Sequence, residues 1–252
     1  MQLNRQKLIP ILHSGNKKYA EIVFIGDVHL GSTLCNEQKF KDMVNYCIIN
    51  KLYVFCMGDM IEAASRYSVG SGVYEQTSPQ DQIDKVINIL KPLAEKNLIV
   101  GYLTGNHEDR ISKAVGIDIS KLITKDLKVP YLGYAGWSIF YVGDSSYTLY
   151  AHHGVSKSST LAGKIRSLLF ILDNGYADIV TMGHVHETWV GAIEKEYVNK
   201  KRKAVETHRV TLALTGHYLN YDGYARKNGY PIGKQGSPKV KLFTDGDIHS
   251  SI

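Results

Sequence analysis

Five short apolar runs in this chain each lead into a glycine-bounded cluster of side chains able to bind metal ions. Ile22-Val23-Phe24-Ile25 leads into Gly26-Asp27-Val28-His29, and Tyr53-Val54-Phe55-Cys56-Met57 into Gly58-Asp59. Leu98-Ile99-Val100-Gly101-Tyr102-Leu103 precedes Gly105-Asn106-His107-Glu108, and Tyr147-Thr148-Leu149-Tyr150 precedes His152-His153-Gly154. Ile179-Val180-Thr181-Met182 precedes Gly183-His184-Val185-His186. Unbroken apolar runs of this length are the signature of strands covered on both faces. In open α/β sheets the loops at the carboxyl ends of such strands gather into one crevice, so a single sheet would bring all five clusters together.

The donors in these clusters are two carboxylates, one amide oxygen and four or five imidazoles. That set suits a pair of borderline divalent ions such as Mn, Fe, Zn or Co. Soft thiolate chelation is excluded, because Cys35, Cys47 and Cys56 have no chelating spacing. Their odd number points instead to reduced thiols in a cytoplasmic compartment.

A chain of 252 residues is long enough for one large α/β domain, and a second domain is not required. Hydrophobic content of 44% with 21% charged residues excludes disorder as the dominant state. No apolar stretch approaches the roughly 20 residues that span a bilayer. Near the start, Leu8-Ile9-Pro10-Ile11-Leu12 is too short for a signal-peptide core. The net charge of +6, with a pI near 9.0, favours polyanionic partners.

Helical spacing of Phe40, Met43, Val44, Cys47 and Ile48 predicts a helix that crosses between the first two strands. A second helix is predicted to start at Ser78-Pro79, carrying Ile83, Val86, Ile87, Leu90 and Leu93 on one face, with Pro92 kinking or ending it. Between them, Glu62 to Thr77 shows no period and reads as an insertion over the active-site side. Beyond Pro130, Trp137–Val142 and Tyr147–Ala151 read as a hairpin. A helix over Ser158–Leu172 follows, then strands around Asp178–Met182, Thr188–Tyr197 and Val205–Leu214. Lys200-Lys201-Arg202-Lys203 reads as a solvated hairpin tip whose charge would steer a polyanion. From Gly216 to Gly236, Tyr218, Tyr221, Tyr224 and Tyr230 alternate with Arg226, Lys227 and Lys234. That composition fits either a base-stacking surface or an ordinary packed loop. His13, His208, His217 and His249 have no comparable setting and receive no role.

In all five clusters and in their order, from about Ile22 to His186, the chain resembles the calcineurin-like metallophosphoesterase superfamily. The resemblance implies an α/β fold: a two-sheet β-sandwich flanked by helices in four αββα layers. It implies one domain over residues 1–252, with 187–252 completing the second sheet and adding the tyrosine-rich tail. It also implies two divalent metal ions, Mn foremost, with Fe, Zn, Co or Ni as alternatives. Asp27 and His29 would bind the first metal, and Asn106 with His152 or His153 the second, while Asp59 would bridge both. His184 would join the second metal and His186 the first.

Chemistry in the superfamily runs through a hydroxide shared by the two ions, without a Ser or Cys nucleophile. His107 would protonate the leaving group or bind the phosphoryl group, with Glu108 or another carboxylate orienting its ring, and Arg110 would pair with phosphate oxygens. The expected activity is phosphoester hydrolysis, with phosphodiesters such as DNA, RNA or nucleotides ahead of phosphomonoesters. Protein phosphatase activity and a metal-free scaffold are the rival readings.

Overall fold

The structure is a computed structural model that describes residues 8–13, 17–64, 77–156, 158–173, 175–222, 226–227, 229 and 232–252. The predicted insertion therefore lies mostly outside the described residues, as do Tyr224 and Tyr230.

The alternating β-α pattern of the first half builds one sheet. Strands β2 (Tyr19–Ile25), β3 (Tyr53–Cys56), β4 (Ile99–Leu103) and β5 (Tyr131–Gly133) pair in parallel, after an edge strand β1 (Leu8–Leu12) that belongs to the other sheet. Helix α1 (Glu37–Asn50) links β2 to β3, and α2 (Pro79–Glu95) comes between β3 and β4. Both start where the sequence places a cap: Asn36 accepts the Lys39 N–H, and Ser78 accepts that of Asp81 ahead of Pro79. Pro92 does not end α2, which runs on to Glu95. A proline so near the C-terminus frees only one carbonyl a turn back, and buried Leu90 and Leu93 hold the last turns against the sheet. Helices α3 (Asn106–Val115) and α4 (Ile119–Leu127) follow β4.

The second half is dominated by antiparallel pairs. Strands β6 (Ala135–Val142) and β7 (Ser145–His152) form a hairpin turning at Gly143-Asp144, where Gly143 has φ +60°. Helix α5 (Leu161–Leu172) leads to β8 (Ile179–Met182), and β9 (Thr188–Asn199) and β10 (Ala204–Thr215) pair along their whole length. The second sheet has the order β1-β6-β7-β8-β10-β9. The apolar patch near the start thus becomes β1, whose Pro10 sits on an edge strand where a missing N–H is tolerated.

Residues 187–252 do not all join the second sheet. Strands β11 (Lys239–Phe243) and β12 (Ile248–Ser251) return to the first, where β11 pairs antiparallel with β2 in the order β12-β11-β2-β3-β4-β5. The cause lies in β11, where Val240 and Leu242 are buried and alternate with lysines, a pattern suited to the half-covered flank of β2.

The layers follow from period-two burial. Ile22 and Phe24 of β2 face Phe140, Leu149, Ala151 and Ile179 between the sheets. Val23 and Ile25, one residue out of phase, pack with Phe40, Val44, Val86, Leu90 and Ile123 of the helices outside. On the far side α5 covers the second sheet through Leu168, Ile171 and Leu172. The result is the αββα sandwich expected from the sequence. Among the described residues no helix is long and apolar enough to cross a membrane, and Cys35, Cys47 and Cys56 are all free.

Candidate metal centre

All five clusters lie just past the carboxyl ends of β2, β3, β4, β7 and β8, so two sheets rather than one supply the crevice. Backbone hydrogen bonds stitch the loops together. The Asp27 N–H donates to the Gly58 carbonyl (3.0 Å), and those of Val28 and His29 donate to the Asp59 carbonyl (2.9 and 3.0 Å). The His184 N–H donates to Oδ2 of Asp27 (2.8 Å).

Asp27, His29, Asp59, His184 and His186 all have left-handed backbone, with φ of 49°, 54°, 50°, 67° and 49°. For L-residues this region costs roughly 1–2 kcal/mol each and is held only where the surroundings dictate it. Alternation along extended strands therefore does not aim these side chains. Strained turns aim them.

Among the described residues three donor groups result: one, of His29, Glu62 and His107, shares His29 with a neighbour, and the other two consist wholly of expected ligands. In the first of those two, donor atoms of Asp27, His29 and His186 all lie within 4.8 Å of one another; in the second, those of Asp59, His153 and His184 do. Asn106 Oδ1 is 3.1 Å from His153 Nε2 and so stands at the second group. Nε2 of His29 and Nε2 of His186 are 3.2 Å apart, close to the separation of two nitrogens on one ion with bonds of about 2.0–2.1 Å. Asp27 Oδ1 is buried with no hydrogen-bond donor. An orphaned carboxylate oxygen beside two imidazole nitrogens is what a divalent cation completes.

His153, and not His152, enters the second group. Its Nδ1–H donates to the Met57 carbonyl (2.8 Å), which turns Nε2 toward Asp59 Oδ2, 3.4 Å away. His152 instead accepts the Gly154 N–H on its Nδ1 and reaches neither group. Glycines make room for this packing. A Cβ on Gly105 would lie 2.0 Å from Asp59 Oδ1, and one on Gly58, at φ +88°, 2.7 Å from His153 Nδ1.

Glu108 does not orient the His107 ring. Its buried carboxylate accepts the backbone N–H groups of Asp59, Met60, Ile61 and Gly105, fastening the Asp59 loop to the start of α3. Burial and the adjacent Asp59 carboxylate push it up to about 7, against the pull of its hydrogen bonds. The His107 N–H, in the first turn of α3, donates to Asp59 Oδ1 (2.8 Å).

Glu62 holds the position that the sequence reading missed. Its carboxylate accepts from His29 Nδ1 (2.9 Å), and its carbonyl accepts from His107 Nδ1 (2.8 Å). Arg110 donates to His107 Nε2 (2.9 Å), leaving that ring as the Nδ1–H tautomer. Burial and the neighbouring His29 charge lower His107 to about 4. As arranged it is therefore a neutral ring. The only signal for Glu62 was a carboxylate three residues after Asp59, at the start of a segment with no period.

His217 was also missed. It is buried beside His186, with ring centroids 5.4 Å apart and planes 22° from parallel. Tyr218, by contrast, packs in the core against Phe40 and is not available to stack bases. A concavity of about 510 Å³ lies at the opposite end of the second sheet, lined by Ser145, Asp178, His208, Arg209 and His249. It touches neither donor group.

Sandwich, strand-end loops and paired donor groups define a metallophosphoesterase architecture. The chain belongs to the calcineurin-like phosphoesterase family, whose sequence model matches residues 20–221. Among solved structures it is similar to the Escherichia coli phosphoesterase Yfce, at 13% identity over 92% of this chain and 98% of that one, with a TM-score of 0.44. It is also similar to zinc-complexed Vps29 of Entamoeba histolytica (14% identity, 92% and 97% covered, TM-score 0.41) and to a metallophosphoesterase of Sphaerobacter thermophilus (12%, 93% and 88%, 0.38). No curated protein sequence matches the chain.

Proposed function

We propose that this protein is a binuclear metal-dependent phosphodiesterase of a reducing, cytoplasmic compartment that acts on nucleic acid or nucleotides. The observation that carries the reading is the pair of donor groups, Asp27/His29/His186 and Asp59/His153/His184, with His107 and Arg110 at their edge. Asp59, a donor of the second group whose backbone carbonyl accepts the His29 N–H of the first, is the candidate bridge, and Asn106 adds an amide oxygen to the second. Two divalent ions, Mn foremost, would supply an activated water and a polarised phosphoryl group when bound.

The remaining work falls to the chain. Arg110 is placed to meet phosphoryl oxygens with its guanidinium. Doing so releases Nε2 of His107, which is unprotonated as arranged; it would take a proton from solvent and pass that proton to the leaving oxygen, while the Glu62 carbonyl holds Nδ1. Glu62 keeps His29 turned toward the first group. The preference for diesters rests on the net charge of +6 and on Lys200, Lys201 and Lys203 at the β9–β10 tip, which form no ion pair among the described residues.

The test is hydrolysis of bis-p-nitrophenyl phosphate and p-nitrophenyl phosphate by metal-stripped protein supplied with Mn, Zn, Mg or nothing. Faster diester turnover with Mn is expected. Preference for the monoester would turn the reading to a phosphatase, and no turnover with any metal would turn it to a scaffold.

A further inference from the structure

His217 is the buried imidazole for which the mechanism has no use, and its surroundings tie it to one ligand. Of the four imidazoles in the two groups of expected ligands, two are held through Nδ1: His29 by the Glu62 carboxylate and His153 by the Met57 carbonyl. Ligand histidines nearly always have such an acceptor, because it fixes both tautomer and ring direction. His186 has none among the described residues. Its side chain is 38% exposed, and its Nε2 points at His29 Nε2 (3.2 Å) and Asp27 Oδ1 (3.4 Å). What flanks its ring is packing: the edge of His29 at 5.1 Å and the face of His217 at 5.4 Å.

His217 is itself anchored from both sides. Its Nδ1 accepts the Leu219 N–H (3.1 Å). The Gly216 N–H donates to the Glu187 carbonyl (2.8 Å) and the Tyr218 N–H to the Asp27 carbonyl (3.0 Å), so the backbone around it is bonded to both loops of the first group. Its Nε2 is buried, has no side-chain partner among the described residues, and lies against the backbone of Gly233. Gly233 lets the following segment close over the pair, since a Cβ there would lie 2.7 Å from His217 Nε2 and 2.5 Å from the His186 carbonyl.

We propose that His217 is a positioning residue for the first metal: a fixed plate against which the His186 ring stacks, replacing the hydrogen-bond acceptor that His186 lacks. The inference rests on the reading of Asp27, His29 and His186 as metal ligands.

Two variants separate the plate from its anchor. His217→Asn keeps an acceptor for the Leu219 N–H but removes the ring face, whereas His217→Phe keeps a ring face and loses the acceptor. Metal-stripped full-length protein is titrated with Mn by calorimetry, and metal-free thermal midpoints serve as the folding control. His217→Asn is expected to weaken one of two Mn sites about 10–100-fold and leave the other unchanged, while His217→Phe binds both ions like the unaltered protein. Unaltered binding in His217→Asn, or an equal loss in His217→Phe, overturns the proposal. Unaltered protein that binds two Mn ions but hydrolyses neither ester leaves this inference standing and removes the phosphodiesterase reading. If it binds no Mn, both fall.

Discussion

The Met60 backbone N–H meets Oε1 of Glu108 at 2.7 Å across 48 residues of sequence. With the N–H groups of Asp59, Ile61 and Gly105 on the same carboxylate, this contact makes Glu108 the clamp between two ligand loops. Glu108→Gln places an amide NH₂ against backbone donors and leaves some of them unmet. We expect a loss of about 2–3 kcal/mol in stability, read by urea denaturation of the metal-free protein. A change below about 0.5 kcal/mol would show that the clamp contributes little.

Gly105→Ala tests the closeness of the same loops. The new methyl would lie 2.0 Å from Asp59 Oδ1, the far end of a short, fully buried side chain that cannot swing away. Metal affinity and turnover should both collapse, and Ser in place of Ala should do no better. Mn binding by equilibrium dialysis checks it, and full occupancy in Gly105→Ala would contradict the geometry.

Protons and metal compete at His29 and His153. Burial pulls both imidazoles down, but the Glu62 hydrogen bond and nearby carboxylates leave His29 raised to about 9, and the Asp59 charge leaves His153 raised to about 10. Both lie above the value of about 6.5 in an unfolded chain. Between pH 6.5 and those values the folded, metal-free protein holds more protons than the unfolded one, so its stability falls as pH rises through that window. Metal needs neutral imidazole, so its affinity rises over the same window. Melts at pH 6.5, 8 and 9.5 should show the metal-free midpoint falling and the gain from Mn growing. Calorimetry in buffers of different ionisation enthalpy should show roughly two protons released on binding at pH 7. Heats that do not depend on the buffer would refute this.

His107→Gln should keep both metals but slow turnover of esters with poor leaving groups by roughly 10²–10⁴, with a smaller effect on p-nitrophenyl esters. Arg110→Lys should raise KM more than it lowers kcat, because a point charge replaces a planar fork. Equal losses across leaving groups in His107→Gln would remove its role as proton donor.

Strand and helix placement was legible because burial on both faces leaves a plain record, as in Ile22–Ile25 and Ile179–Met182. The five ligand clusters were legible because glycine must precede or follow a strained turn. Choosing His153 over His152 was not, since it depends on which ring meets the Met57 carbonyl. Glu62 and His217 were hidden for the same reason: their partners are 33 and 31 residues away or more, His29 and His186, and no local period marks such contacts. The role expected of Glu108 misfired because a carboxylate beside a histidine in sequence, on a helix start, points to the backbone of another loop.

The return of β11 to the flank of β2 sets an order of events in the cell. The strand that leads into Asp27 emerges from the ribosome some 200 residues before its neighbour, Lys239–Phe243. Until then β2 has an open edge, available to chaperones or to a neighbouring nascent chain. The flank of the strand that leads into Asp27 is therefore closed only after every ligand cluster, His186 included, has been made.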